Sequence, residues 1–183
     1  MLYSETSLRS RWLDLTVRDA AIFIAAVSAA TLASVWIIQF IGYKPCPLCL
    51  QERMPYYAAV PAGIIAAYIA RESPRLAAII LTAVCLGLLY GAGIGVYHAG
   101  AEWQLWKGPD TCSGDGIQVA GSLAKRLQNN LAVRCDQAPF RIIGLSLAGY
   151  NVLLSSGLAA VGAAALGPLL NPKRSPKRQT ETV

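Results

Sequence analysis

The run AAIFIAAVSAATLASVWIIQFI, Ala20 to Ile41, holds only apolar or small side chains apart from Gln39. As a helix it is long enough to cross the hydrocarbon layer, which needs about 20 residues. It is also longer than the apolar core of a cleaved signal peptide, about 7–15 residues, so it reads as an uncleaved first span. The whole chain agrees with that class. Of its 183 residues 55% are hydrophobic and 14% charged, where soluble domains are about a quarter charged. The net charge of +6 comes from loops and ends, and no basic patch with interleaved aromatics suggests nucleic acid.

The next segment carries the chemistry: Lys44-Pro45-Cys46-Pro47-Leu48-Cys49-Leu50-Gln51-Glu52-Arg53. It lies between two apolar runs, where a membrane segment meets water. A Cys-x-x-Cys pair suits thiol–disulfide exchange, because one sulfur attacks while the other resolves. Pro47 fixes φ and lacks an N–H, which fits the first turn of a helix continuing through Arg53. Cys49 then feels the positive helix terminus, and Arg53 lies one turn along the same face. Both effects favour a thiolate, so Cys49 reads as the stabilised sulfur and Cys46 as its exchanging partner. A soft metal ion on the pair is the competing reading, although structural zinc wants four ligands and His98 is the only histidine.

Three more spans follow. The second runs about 48–70 through Pro55 and Pro61, with Arg53 near the headgroup boundary, where an arginine is costly unless it is paired or serves a function. The polar turn 71–75 leads to a third span, about 76–97, with Gly87, Gly91 and Gly95 at four-residue spacing for close helix approach. Cys85 lies mid-span as a small buried residue. His98 stands at the end, next to Glu102, Trp103 and Trp106, the tryptophans suiting an interface. The fourth span covers about 142–170 and includes Asn151.

Between spans three and four lies one long loop, about 98–141, containing Cys112 and Cys135. Ala120, Leu123, Ala124, Leu127 and Leu131 recur at helical spacing among polar residues, predicting a short amphipathic helix on the membrane surface. The fold is thus an all-α membrane protein: a four-helix transmembrane bundle over 20–170, with polar segments 1–19 and 171–183 at its ends. Nine of the sixteen lysines and arginines fall in residues 1–19, the 71–75 turn and the tail, which places both termini in the cytoplasm. Four spans then put Cys46, Cys49, Cys112 and Cys135 together on the opposite, oxidising face.

Two dithiol couples on one face can relay electrons. An accessible loop disulfide can accept two electrons from a thiol protein and be reoxidised by the first pair. No haem, flavin or metal motif is present, so the terminal acceptor at a bilayer boundary is a lipid-soluble quinone. Arg53 would stabilise negative charge developing on its oxygen.

The order Cys-Pro-Leu-Cys-x-x-x-Arg after the first span, His98 ending the third, and a later loop pair resembles the bacterial disulfide bond formation protein B (DsbB) family, from Ala20 to Leu170. The resemblance implies an inner-membrane thiol:quinone oxidoreductase with periplasmic cysteines. It implies that a periplasmic DsbA-like thioredoxin-fold protein forms a mixed disulfide at Cys112, and that released Cys135 engages Cys46. Cys49 then becomes the thiolate that contacts ubiquinone or menaquinone, with Arg53 and His98 near it. Residues 100–116 depart from the general pattern and leave the thiol partner open. Two alternatives are a vitamin K epoxide reductase-like enzyme, where the Cys-x-x-Cys would come before the last span, and a small metal-binding membrane protein using Cys46 and Cys49.

Overall fold

The computed structural model describes residues 16–108, 135 and 141–170. Four helices carry the chain: α1 (Val17–Phe40), α2 (Pro47–Ile69), α3 (Pro74–Glu102) and α4 (Leu147–Leu170). A two-residue antiparallel hairpin, β1 (Arg141–Ile142) and β2 (Leu145–Ser146), leads into α4, pairing Arg141 with Ser146. The predicted amphipathic helix and residues 1–15 and 171–183 of the polar ends lie outside the described residues, while 17–19 of the first polar segment already belong to α1.

Local chemistry explains the helix starts. Thr16 caps α1, its hydroxyl accepting from the Asp19 amide at 3.2 Å. Cys46 caps α2 with its sulfur, and Pro47 follows at the first helical position as predicted. Two expected boundaries move. The third helix continues past residue 97 to Glu102, because no breaker interrupts Ala99-Gly100-Ala101. This puts His98 and Glu102 one turn apart on one face. The fourth helix starts at Leu147 rather than near 142, because Ile143 and Gly144 take positive φ and turn the hairpin.

Each helix packs on the next in the chain, and α1 touches α4 less extensively. The interior is built from small residues. Ala20, Ala21, Ala59, Ala66 and Ala77 are buried, whereas large side chains such as Phe40, Tyr68, Leu86 and Leu153 face outward. A water-soluble bundle would reverse that order, while small contact faces suit helices packing in lipid. α1, α3 and α4 are long and apolar enough to cross a membrane. α2 has the length but carries Gln51, Glu52 and Arg53 in its first two turns, with four polar or proline positions soon after. The glycine stripe is used unevenly. Gly91 accommodates Pro55 and Gly95 abuts Asn151 and Val152, but Gly87 faces open space. Cys85 is buried mid-span as expected and rests against Gly162 of α4.

Candidate active site

Cys46 and Cys49 project from the start of α2 with their sulfurs 2.6 Å apart. That is longer than a disulfide bond of about 2.05 Å and close enough for one to form without moving the backbone. Cys46 is buried, and Cys49 is half-buried. The Cys49 amide donates to Cys46 Sγ at 3.1 Å, which is the helix cap itself. The two thiols are also in hydrogen-bond contact, and these contacts with Cys49 hold the Cys46 thiol below its ordinary pKa, against a smaller opposing effect of burial. The thiol held down is thus Cys46, whereas the helix-dipole argument favoured Cys49. The Cys49 side chain is the largest cause, and the amide cap adds to it, because the free N–H groups of α2 converge on the residue before the helix.

Cys135 is buried and disulfide-bonded, whereas Cys46, Cys49 and Cys85 are free thiols. Its sulfur, Cys46 Sγ and a ring nitrogen of His98 all lie within 4.8 Å of one another. Residues 46 and 135 thus meet although 89 positions separate them. Cys112 lies outside the described residues.

His98 occupies the buried centre of this group. Its Nδ1 lies 2.7 Å from Glu52 Oε1, and its Nε2 lies 3.6 Å from Cys46 Sγ and 3.7 Å from Glu102 Oε1. Both carboxylates are buried, and Glu102 Oε2 has no hydrogen-bond partner among the described residues. Sequence reading named His98 but gave neither glutamate a role. The only local signal was the four-residue step from His98 to Glu102.

A cavity of about 330 Å³ opens on the other side of the pair, between α1, α2 and the start of α4. Cys49, Glu52 and Arg53 form its polar end, while Val35, Ile38 and Leu154 belong to its apolar wall. The volume lies within the ordinary range for small-molecule sites, about 300–1,000 Å³. Arg53 Nη1 donates to Gln39 Oε1 at 2.9 Å, so the one large polar residue of the first run holds the guanidinium in place. No hydrogen bond joins Arg53 to Cys49; they meet as walls of one cavity. Beneath them Tyr56 OH donates to Asn151 Oδ1 at 2.8 Å and lies 2.8 Å from Ser155 Oγ. His98 is absent from the cavity wall and instead contacts Cys46, with Glu52 between the two sites.

The site therefore meets one pair of cysteines from two sides: Cys135 adjoins Cys46 in a buried contact, and the cavity reaches Cys49. The donor set also fits a flat, carbonyl-bearing apolar ring, with a cation at one end and aliphatic walls along it.

A family model described as disulfide bond formation protein DsbB matches residues 17–165. Disulfide bond formation protein B of Psychrobacter sp. (strain PRwf-1) is 22% identical over 157 residues, 83% of this chain and 91% of the relative. Disulfide bond formation protein B 2 of Pseudomonas syringae pv. syringae (strain B728a) is 28% identical over 152 residues, covering 75% and 81% respectively. An uncharacterized protein of Rickettsia prowazekii (strain Madrid E) is 24% identical over 138 residues, 72% of this chain and 77% of its own length. No solved structure matches.

Proposed function

The chain belongs to the DsbB family of disulfide bond formation proteins and is a disulfide-forming oxidoreductase, and from that premise we propose that it is a thiol:quinone oxidoreductase of the bacterial inner membrane. It reoxidises a periplasmic DsbA-like dithiol protein through Cys112 and Cys135, then Cys46 and Cys49. The observation that carries this reading is the placement of Cys46 between the Cys135 sulfur and Cys49, with Cys49 lining a cavity beside Arg53.

The sulfur steps balance. A thiolate of the partner attacks the Cys112–Cys135 disulfide at Cys112, and Cys135 leaves as a thiolate. Cys135 attacks Cys46 of the oxidised first pair, and Cys49 leaves as a thiolate at the cavity wall. The partner's second thiol closes its own disulfide and releases Cys112, which attacks Cys135 of the Cys46–Cys135 disulfide, re-forms its bond to Cys135 and expels Cys46 as a thiolate. Cys46 and Cys49 remain as the dithiol, two electrons and two protons richer.

Ubiquinone or menaquinone, when bound, supplies the two-electron acceptor that returns the pair to its disulfide. Arg53 presents its cation where negative charge develops, and Gln39 fixes that position in advance. Ile38, Val35 and Leu154 exclude water from the apolar part of the site. Glu52 reaches both the cavity and His98, so it can hold a proton at either. The charge bias of the polar segments supports cytoplasmic termini and periplasmic cysteines.

The test is quinone reduction by purified protein supplied with a reduced thioredoxin-fold partner. Cys49→Ala should abolish quinone reduction. Cys112→Ala should block oxidation of the partner while leaving quinone reduction by a small dithiol. Normal quinone turnover in Cys49→Ala would refute the assignment of roles.

A further inference from the structure

We propose that the fully reduced chain binds one zinc ion through Cys46, Cys135 and His98, with Glu102 completing a tetrahedral set. The three ligand atoms of Cys46, Cys135 and His98 already lie within 4.8 Å of one another, and all three residues are buried. Zinc sits about 2.3 Å from sulfur and about 2.0–2.2 Å from nitrogen or oxygen, so neighbouring ligand atoms of a tetrahedron lie about 3.3–3.8 Å apart. The Cys46 Sγ to His98 Nε2 separation, 3.6 Å, falls in that range; Glu102 Oε1 lies 3.7 Å from His98 Nε2 but outside the cluster of three, so its side chain must turn to reach the ion.

Two further observations point to a cation at this spot. Glu102 Oε2 is buried without a hydrogen-bond partner among the described residues, an uncompensated cost that a bound cation removes. Glu52 Oε1 lies 2.7 Å from the far ring nitrogen of His98. A carboxylate on that nitrogen fixes the imidazole with its other nitrogen free to coordinate, which is the usual support for a metal-bound histidine.

The site forms only when Cys135 is released from its disulfide. A dithiol reductant donates two electrons and two protons to that bond, leaving two thiols on this chain and a disulfide on the donor. Cys46 must also be a thiol. The required state is the one reached when both couples are reduced and no acceptor is available. Zinc then displaces the two thiol protons, which leave to solvent, and no electrons move. With Cys46 and Cys135 tied to one ion, neither sulfur can attack a disulfide. Zinc thus locks the reduced enzyme. This consequence rests on the relay proposed above, whereas binding itself does not.

The experiment uses the full chain in detergent, reduced with a phosphine, desalted, and titrated with Co²⁺ and then Zn²⁺. One ion per chain is expected, with a thiolate-to-cobalt charge-transfer band that zinc bleaches and that the oxidised chain does not give. His98→Gln and Glu102→Gln should each weaken binding at least tenfold, and Cys135→Ser should remove it. Cys49→Ser should bind within about threefold of the parent. Equal binding by oxidised and reduced chains, which differ only in their sulfur bonds, overturns the proposal. So does loss of binding in Cys49→Ser with retention in Cys135→Ser, which assigns the ion to the Cys46–Cys49 pair. Quinone turnover without metal binding in the reduced chain refutes the zinc site alone. Metal binding without turnover refutes the relay and leaves the site standing.

Discussion

Replacing Gly95 by alanine tests how α3 and α4 meet, and Gly87 provides the control. A Cβ at Gly95 would lie 2.9 Å from Val152 Cγ2, 2.9 Å from Asn151 Nδ2 and 3.2 Å from the Ala148 carbonyl. Ordinary carbon contacts begin near 3.4 Å, so the helices must separate by about 0.5 Å or more, and overpacking of this kind costs about 1–3 kcal/mol. Separation also pulls on Asn151, which donates to Gly91 O at 3.2 Å and accepts from Tyr56; each bond weakened costs about 0.5–1.5 kcal/mol. Against this, alanine gains about 0.5–1 kcal/mol of helix propensity over glycine. Net destabilisation of Gly95→Ala is therefore about 1–3 kcal/mol. At Gly87 nothing lies within 4 Å of the added methyl, so only the propensity gain of about 0.5–1 kcal/mol remains. Unfolding in detergent, followed by tryptophan fluorescence, should rank Gly87→Ala at or above the parent and Gly95→Ala well below it. Equal destabilisation by both would mean the whole stripe is buried and would refute this packing.

Arg53→Gln should lower the rate of quinone reduction about 10–100-fold, for loss of a charge-assisted contact worth about 1.5–3 kcal/mol, while oxidation of the thiol partner in a single turnover changes less than threefold; equal losses would mark the arginine as structural. Tyr56→Phe removes one hydrogen-bond partner from each of Asn151 and Ser155 in the bundle and should cost about 1–2 kcal/mol by the same unfolding assay; an unchanged midpoint would show that the network contributes nothing. The reduced chain should alkylate at Cys46 at a pH below the ordinary thiol value of 9.0, and Cys49→Ala should shift that profile upward because it removes the largest cause. Since the folded pKa is the lower one, the associated stability is fully present above pH 9.0 and is lost as pH falls through the folded value. A Cys46 profile unmoved by Cys49→Ala would disprove the hydrogen-bond explanation.

Much of the architecture was legible because it is local. Ala20 to Ile41 is apolar or small at every position but one, and no soluble helix needs that, so α1 follows from composition alone. Pro47 at the start of α2 and the Cys-x-x-Cys before it follow from backbone chemistry within four residues. The displaced start of α4 was harder to see, because two residues with positive φ in a six-residue segment leave little periodic trace. The uneven glycine stripe shows the same limit: four-residue spacing states that one face is smooth, not which part of it another helix covers.

From its order of residues alone, the chain determined its membrane class, the position of its Cys-x-x-Cys pair and the candidate residues of the site. The partition of those residues was decided only by packing. α2 and α3 bring Glu52 and His98 together across 46 positions, while Arg53, the next residue, faces Gln39 and the cavity. Consecutive residues on a helix point about 100° apart, so Glu52 and Arg53 serve different neighbours, and which neighbours those are depends on the arrangement of whole helices. The lowered Cys46 thiol likewise depends on contacts that only the folded helix start shows. Its largest cause is the Cys49 side chain, 2.6 Å away, and the 3.1 Å amide bond adds to it, whereas the dipole argument pointed to Cys49.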